Sequence, residues 1–274
     1  MPLLLSVARL QPHPHRSGLI KKTPLHAFEK ITARGLIAVS LVEGDRLVRA
    51  SLCEEADSVL LCSALGQAVR FSTDAENLRA SGRQSRGVKS MGMRAGDEIA
   101  DMFVIRGTGA EGGCAMGESD DDNDAEGDGE LSEEEGQGQQ LVAVTRRGYG
   151  KRMDSSLFRC QKRGGKGVIA MKFKRKDDRL LALSPFEGVS QLPGAETAEQ
   201  ELLLITQKGV TVRQRLSRIS VQGRATTGVA LQKLDEDDLV ASVDIVPAAE
   251  EQDEEEEEDD DEDDQEGAVL SGAE

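Results

Sequence analysis

The sequence predicts an all-β, propeller-like domain of about four blades that carries a disordered acidic insertion and a disordered acidic tail. Three observations predict it. A pattern of roughly 50 residues occurs four times along the 274-residue chain. Its aliphatic runs have strand length, with β-branched residues and Gly-marked hairpins. No segment of comparable length carries helical periodicity. About four short strands in a unit of this size is the pattern of radially arranged sheets, which protect one another's edges.

The first repeat is LLLSV, a long loop, and then GLIKKTPLHAFEKITARGLIAVSLVEGD. The second is VLLCSALGQAVRFSTDAENLRASGRQSRGVKSMGMRAGD, the third LVAVTRRGYGKRMDSSLFRCQKRGGKGVIAMKFKRKD, and the fourth LLLITQKGVTVRQRLSRISVQGRATTGVALQKLDEDD. Each opens on an aliphatic strand, a Gly-centred turn and a short segment ending in Lys or Arg. An irregular polar stretch follows, then a second Gly, a second apolar strand and an acidic or charged turn. The first glycines are Gly18, Gly66, Gly148 and Gly209; the second are Gly35, Gly87, Gly167 and Gly228. After the second comes Leu36, Val88, Val168 or Val229, and six residues after it Leu41, Met93, Phe173 or Leu234. The opening Met-Pro-Leu-Leu-Leu is the first strand of a blade with ARLQPHPHRS as its hairpin loop, which is a better account than a targeting peptide. A blade strand at the chain start is expected where upstream sequence is missing.

Composition divides the chain further: residues 1–106 hold the first two blades, 107–139 the insertion, 140–247 the last two blades and 248–274 the tail. The insertion has twelve acidic residues and the tail sixteen, neither with any Lys or Arg. Such blocks repel themselves and bury little apolar surface. Together they hold 28 of the 51 acidic residues, so the formal charge of −17 hides a body with 23 acidic against 34 basic residues, a net of about +11. A basic body points to a polyanionic partner, nucleic acid first, against the plainer reading of a solvated Lys/Arg-rich face. No apolar run approaches the ~20 residues that cross a bilayer, so no membrane partner is expected. Cys53, Cys62, Cys114 and Cys160 form no C-x-x-C pair and lie apart from His13, His15 and His26, except that His26 is near Cys53; the expectation is no metal site and four reduced thiols of an intracellular protein.

The stretch CQKRGGKGVIA, residues 160–170, is the most concentrated basic loop. A phosphate-binding catalytic loop needs Ser or Thr after the Gly-Lys and a helix behind it; here Lys166 precedes Gly167 and a strand. The equivalent loops GRQSRGVK (82–89) and GRATTGVA (223–230) keep the Gly while their basic load varies. Gly is therefore the turn residue, and Lys162, Arg163 and Lys166 remain, either solvated or gripping phosphate. Lys21, Lys22, Arg70, Lys151, Arg152 and Arg213 recur just beyond the first Gly, and charges at repeated positions form a belt around a disc. The candidate DNA-binding residues are these nine with Gln161, Arg34, Arg83, Arg86, Lys89, Arg147 and Arg224, and the turn N–H groups around Gly164 and Gly165 add phosphate donors. With no Trp, one Tyr and six Phe, the chain lacks stacking platforms for single strands. Duplex backbone binding is the expected mode.

These residues resemble the C-terminal domain of the gyrase A chain of bacterial type II topoisomerases. The resemblance covers the four repeats, residues 1 to 247, through GLIKKTPL, LVEGDRLV, RGVKSM, GYGKR, TQKGVTVR and the acidic tail. Residues 161–167, Q-K-R-G-G-K-G, look like the family's Q-R-R-G-G-K-G box with Lys162 in place of one Arg. It implies a β-pinwheel, six-bladed in the family, that wraps double-stranded DNA as the non-catalytic part of DNA gyrase and so supports supercoiling. It implies as partners the gyrase B polypeptide and the remainder of gyrase A, with ATP and Mg²⁺ used only by the full topoisomerase and no cofactor in this chain. The family's box lies in its first blade, whereas this copy lies in the third repeat, which matches the fifth blade; the first two blades and the DNA-cleaving domain are then absent. Tyr149, in the GYGKR hairpin, is a packing residue and not a strand-cleaving nucleophile. The location implied is a nucleoid, in a bacterial cytoplasm or in a chloroplast or mitochondrion.

Two alternatives stand beside wrapping. A topoisomerase IV-like domain has the same fold and bends DNA without a full handed turn. A propeller-like protein-interaction scaffold has protein partners insensitive to salt. A self-sufficient enzyme lacks a convergent acid, base and nucleophile. The tail is expected to compete with DNA for the basic body.

Overall fold

The computed structural model describes residues 2–9, 18–41, 43–107, 114, 138–186 and 199–248. The expected disorder of the insertion and tail, and the 10–17 hairpin loop, fall outside these residues. Among the described residues there is no α-helix, only strands and short 3-10 turns such as Leu25–Phe28, Ser155–Leu157 and Leu216–Arg218. The first repeat supplies β1 (Leu3–Arg9), β2 (Leu19–Pro24) and β3 (Arg46–Cys53). The second supplies β4 (Ser58–Ser63), β5 (Gln67–Ser72), β6 (Val88–Lys89) and β7 (Ile99–Ile105). From the third come β8 (Gln140–Thr145), β9 (Tyr149–Asp154), β10 (Val168–Ile169) and β11 (Leu180–Phe186). The fourth gives β12 (Gln200–Thr206), β13 (Thr211–Arg215), β14 (Val229–Ala230) and β15 (Val240–Pro247).

The sheets do not coincide with the repeats. Their orders are β3-β1-β2-β6, β10-β5-β4-β7, β11-β8-β9-β14 and β13-β12-β15. Each short strand after a second Gly crosses into the preceding sheet: Val88 lies opposite Ile20, Val168 opposite Ala68, and Val229 opposite Gly150. The expected second strand therefore exists as a two-residue donor to the neighbour. In the first repeat the segment after Gly35 forms no strand, and the fourth sheet has three strands.

The core lies between the sheets, where consecutive aliphatic strands face one another. Leu5, Val7, Val59, Leu61, Phe71 and Met102 fill the first gap. Leu60, Phe103, Leu141, Met153, Phe158 and Leu183 fill the second, and Val142, Val144, Leu202, Leu204 and Leu216 the third. Both faces of β4 and β8 are thus buried, which is why their residues run apolar without alternation. Tyr149 packs against the second cluster, its ring facing Lys174 Nζ at 4.6 Å.

The acidic turns have an interior task. Asp97 accepts from the Leu65 and Glu98 N–H groups, Asp178 from Arg147 and Arg179, and Asp238 from Lys208 and Leu239. Each buried carboxylate satisfies a backbone donor in the first hairpin turn of its own repeat and one at the residue that follows it, since a lone buried N–H is costly. Burial pushes the Asp97 and Asp178 carboxyls above the usual range, against these hydrogen bonds.

Candidate nucleic-acid interface

The repeated basic residues divide sharply by burial. Lys22 and Lys151 are wholly buried and Lys21 is 2% exposed. Lys21 Nζ donates to the Ala38, Arg83 and Ser85 carbonyls, and Lys22 Nζ to that of Thr73. Lys151 Nζ donates to the Gly223 carbonyl at 2.7 Å and the Arg224 carbonyl at 2.6 Å. Arg70 reaches the Ser155 and Phe158 carbonyls, and Arg152 those of Ser217 and Ile219, at the 3-10 turn of the next repeat in each case. Arg213 is paired with Glu201 at 2.7 Å and donates to the Pro247 carbonyl. The expected belt beyond the first Gly is corrected accordingly: Lys21, Lys22, Arg70, Lys151 and Arg152 fasten one repeat to the next, because carbonyls left over in a loop need donors once buried. Arg147 is likewise engaged, by Asp177 at 2.6 Å and the Glu236 carbonyl.

Burial, reinforced by the Arg224 guanidinium, pushes Lys151 from 10.5 down to about 7. Between those values the unfolded chain holds a proton that the folded chain has released, so stability rises with pH there. Melting temperatures at pH 7 and pH 9 are expected to show a shallower rise in Lys151→Met than in the unsubstituted chain. An unchanged slope would mean that Lys151 keeps its proton when buried.

The loops before the second glycines are different. Arg34, Arg86, Lys89, Lys162 and Lys166 are exposed. Gln161 is half-buried, its N–H donating to the Arg70 carbonyl at 2.8 Å. Arg83, Arg163 and Arg224 are also half-buried and stand four residues before Gly87, Gly167 and Gly228. Each donates to a carbonyl of the preceding repeat: Arg83 to Ile37 at 3.5 Å, Arg163 to Lys89 at 2.6 Å, and Arg224 to Ile169 at 3.2 Å. Every acceptor stands two residues past a second Gly, so the contact is a property of the repeat. Arg163 also donates to the Asn77 carbonyl at 2.8 Å. The Gly164 N–H donates to Ser90 at 2.8 Å and so is not the free anion donor expected, while the Gly165 carbonyl accepts from Gly92 at 2.7 Å.

The structure thus brings Lys89, Lys162, Arg163 and Lys166 together where the third-repeat loop lies over the β6 strand, and lays Arg224 against β10 one repeat on. Arg79 and Arg159, exposed and each eight residues before a second Gly, were missed as candidates although their equal spacing marks them. Exposed Lys172, whose N–H donates to the Thr226 carbonyl at 3.0 Å, joins them at the fourth-repeat loop. Cys114 and Cys160 are placed side by side, with Cα atoms 5.5 Å apart, a separation that a disulfide accommodates. Cys53 and Cys62 are free and buried.

The family model for the DNA gyrase C-terminal domain, a β-propeller, matches residues 16–54, 57–106, 139–187 and 200–247. The DNA gyrase A protein of Synechocystis sp. is 42% identical over 234 residues, covering 85% of this chain and 26% of that protein. The gyrase A protein of Pseudomonas aeruginosa is 32% identical over 229 residues, covering 84% of this chain and 20% of that protein. The chain therefore spans about a quarter or less of the length of these relatives. In fold it is similar to the C-terminal domain of DNA topoisomerase IV, with a TM-score of 0.66 at 20% identity over 90% of this chain and 62% of that one. The DNA gyrase A C-terminal domain gives a TM-score of 0.62 at 20% identity over 88% and 64%. With four matched repeats built as four successive sheets, the chain belongs to the DNA gyrase A C-terminal β-propeller domain family.

Proposed function

We propose that the loops before the second glycines bind the backbone of duplex DNA without reading its sequence, and that the chain wraps DNA as part of a gyrase. The observation that carries this reading is the alignment of exposed cations across consecutive repeats, each loop being held by its half-buried arginine to the segment just past the preceding repeat's second Gly. Lys and Arg in such a row neutralise successive phosphates and release counterions. The arginines that staple the loops retain further guanidinium donors for the same purpose. Wrapping is favoured over topoisomerase IV-like bending by the gyrase A relatives at 42% and 32% identity. The remainder of gyrase A and the gyrase B polypeptide would supply cleavage and ATP- and Mg²⁺-dependent steps, in a nucleoid.

Combined substitution of Arg86, Lys89, Lys162 and Lys166 by Ala tests the reading. Duplex affinity at low salt is expected to fall at least tenfold, and the salt slope to flatten by about 0.9 for each phosphate no longer neutralised. Lys208→Ala is the control, since that lysine is paired with Asp237 at 2.6 Å in an acidic turn. Equal effects of the two changes, with both proteins folded, would favour the protein-interaction scaffold. Removing residues 248–274 should tighten binding at low salt. That gain should fade as the Debye length shrinks from about 10 Å at 0.1 M to about 3 Å at 1 M; unchanged or weaker binding would mean that the tail does not compete.

A further inference from the structure

One cysteine stands at the entrance of the box loop. Cys160 precedes Gln161 and is pinned to the second sheet: its backbone forms a parallel bridge with Arg70, and the Gln161 N–H donates to the Arg70 carbonyl at 2.8 Å. Beside it lies Cys114, 46 residues earlier and inside the acidic insertion, with the two Cα atoms 5.5 Å apart. Both residues are half-buried, and the separation is one that a disulfide spans.

The cysteines divide by surroundings. Cys53 and Cys62 are buried in the sheets, where burial pushes the Cys53 thiol up to about 11 and the Cys62 thiol well above its usual range. Neither serves as a nucleophile near neutral pH. Cys160 has the opposite setting, open in part to solvent and flanked in sequence by Arg159, Lys162 and Arg163, of which Arg159 and Lys162 are exposed. Positive neighbours and partial exposure make a cysteine reactive toward disulfides.

The insertion is rooted at both ends. It leaves the second repeat at Gly107, whose N–H donates to Asp57 at 3.0 Å, and joins the third at Gly138, which lies so close to Asp154 that a Cβ would strike the carboxylate. Eleven of its twelve acidic residues lie between Cys114 and Gly138. A bond from Cys114 to Cys160 therefore ties the two ends of that acidic stretch to Asp154 and Cys160, six residues apart on the repeat that carries the box. Shortening the tether raises the effective concentration of those carboxylates at Lys162 and Lys166.

We propose that Cys114 and Cys160 form a redox modification site: a small-molecule disulfide of the glutathione class oxidises the pair to a bond that holds the acidic insertion at the box loop and weakens its grip on DNA. The Cys160 sulfur, giving up its proton, attacks the small disulfide and expels one thiol, which takes that proton. The Cys114 sulfur then attacks Cys160 in the mixed disulfide and expels the second thiol, again with transfer of its proton. Two cysteine thiols are oxidised to one bond, and one small disulfide is reduced to two thiols. The effect on DNA rests on the proposed function; the bond itself does not.

The test equilibrates the full chain with reduced or oxidised glutathione, then alkylates and weighs it. Without denaturant the reduced chain is expected to take labels at Cys114 and Cys160, and the oxidised chain at neither. Carbodiimide, which joins a carboxylate to an amine in contact with it, should couple residues 115–137 to Lys162 or Lys166 more in the oxidised chain. A plain duplex at low salt should bind the oxidised chain about three- to tenfold more weakly, because a polyanion held within a Debye length competes with phosphate. Cys114→Ser and, separately, Cys160→Ser should abolish the response to oxidation in both measurements. Thiols that do not join in the folded chain, equal coupling in the two forms, equal affinity of two forms that both bind, or a serine variant that still responds would overturn the proposal. If neither form binds duplex, it is the proposed function that fails, and the alkylation and coupling yields decide the redox site alone.

Discussion

Replacing Gly167 by Ala is expected to destabilise the fold severely. Gly167 has a φ of 79°, where an L side chain is strained, and an added Cβ would fall on the Ala68 carbonyl of the neighbouring sheet. Strain at such a φ costs about 1–3 kcal/mol, and forcing extra volume into a packed contact costs about 1–3 kcal/mol more. The sum, on the order of 2–6 kcal/mol, is comparable with the ~5–15 kcal/mol that holds a domain together. Gly35→Ala carries the backbone strain without the collision, since its Cβ meets nothing within 4 Å. Urea melts should place Gly167→Ala far below Gly35→Ala; equal midpoints would mean that the donor strand does not seat Gly167 against the second sheet.

The periodic parts of the fold were legible before any coordinates. The second glycines Gly87, Gly167 and Gly228 stand at fixed distances from aliphatic runs because each must pass a carbonyl of the preceding sheet, a constraint written into the sequence every time the joint is made. The exchange of strands was not legible. Val88–Lys89 is two residues long, too short for a period that would assign it to one sheet or another. Recurrence misled at Lys21, Lys22, Lys151 and Arg152. A basic residue repeats equally well whether it faces solvent or the carbonyls of the following repeat, and only the tertiary contact tells the two apart. In the box loop Lys162 and Lys166 lie exposed, Lys166 between Gly165 and Gly167. At Arg163 half of the role was hidden, because its acceptors at Asn77 and Lys89 lie far back in the chain.

The acidic turns show the same limit from the opposite sign. Asp97 and Asp178 sit in polar, charged surroundings that read as solvated surface, yet each is buried against the backbone of the hairpin it closes. Their spacing from the following strand recurs, but the hairpin donors they satisfy, Leu65 and Arg147, lie 32 and 31 residues earlier in the chain.

The second large effect concerns salt. If the exposed rim contacts six to ten phosphates, duplex affinity falls by about 10³ to 10⁵ between 50 and 200 mM salt, as released counterions are repaid against a rising bulk concentration. Each exposed loop contributes to that slope, whereas the buried lysines contribute nothing. Salt dependence therefore separates a phosphate-binding rim from a basic surface that is only solvated. The most direct measurement is equilibrium binding of a plain duplex by the full chain across that salt range, repeated with an unrelated sequence of the same length. Steep and equal slopes for the two sequences are the predicted result; binding that is flat in salt, or confined to one sequence, would contradict a rim that holds the DNA backbone.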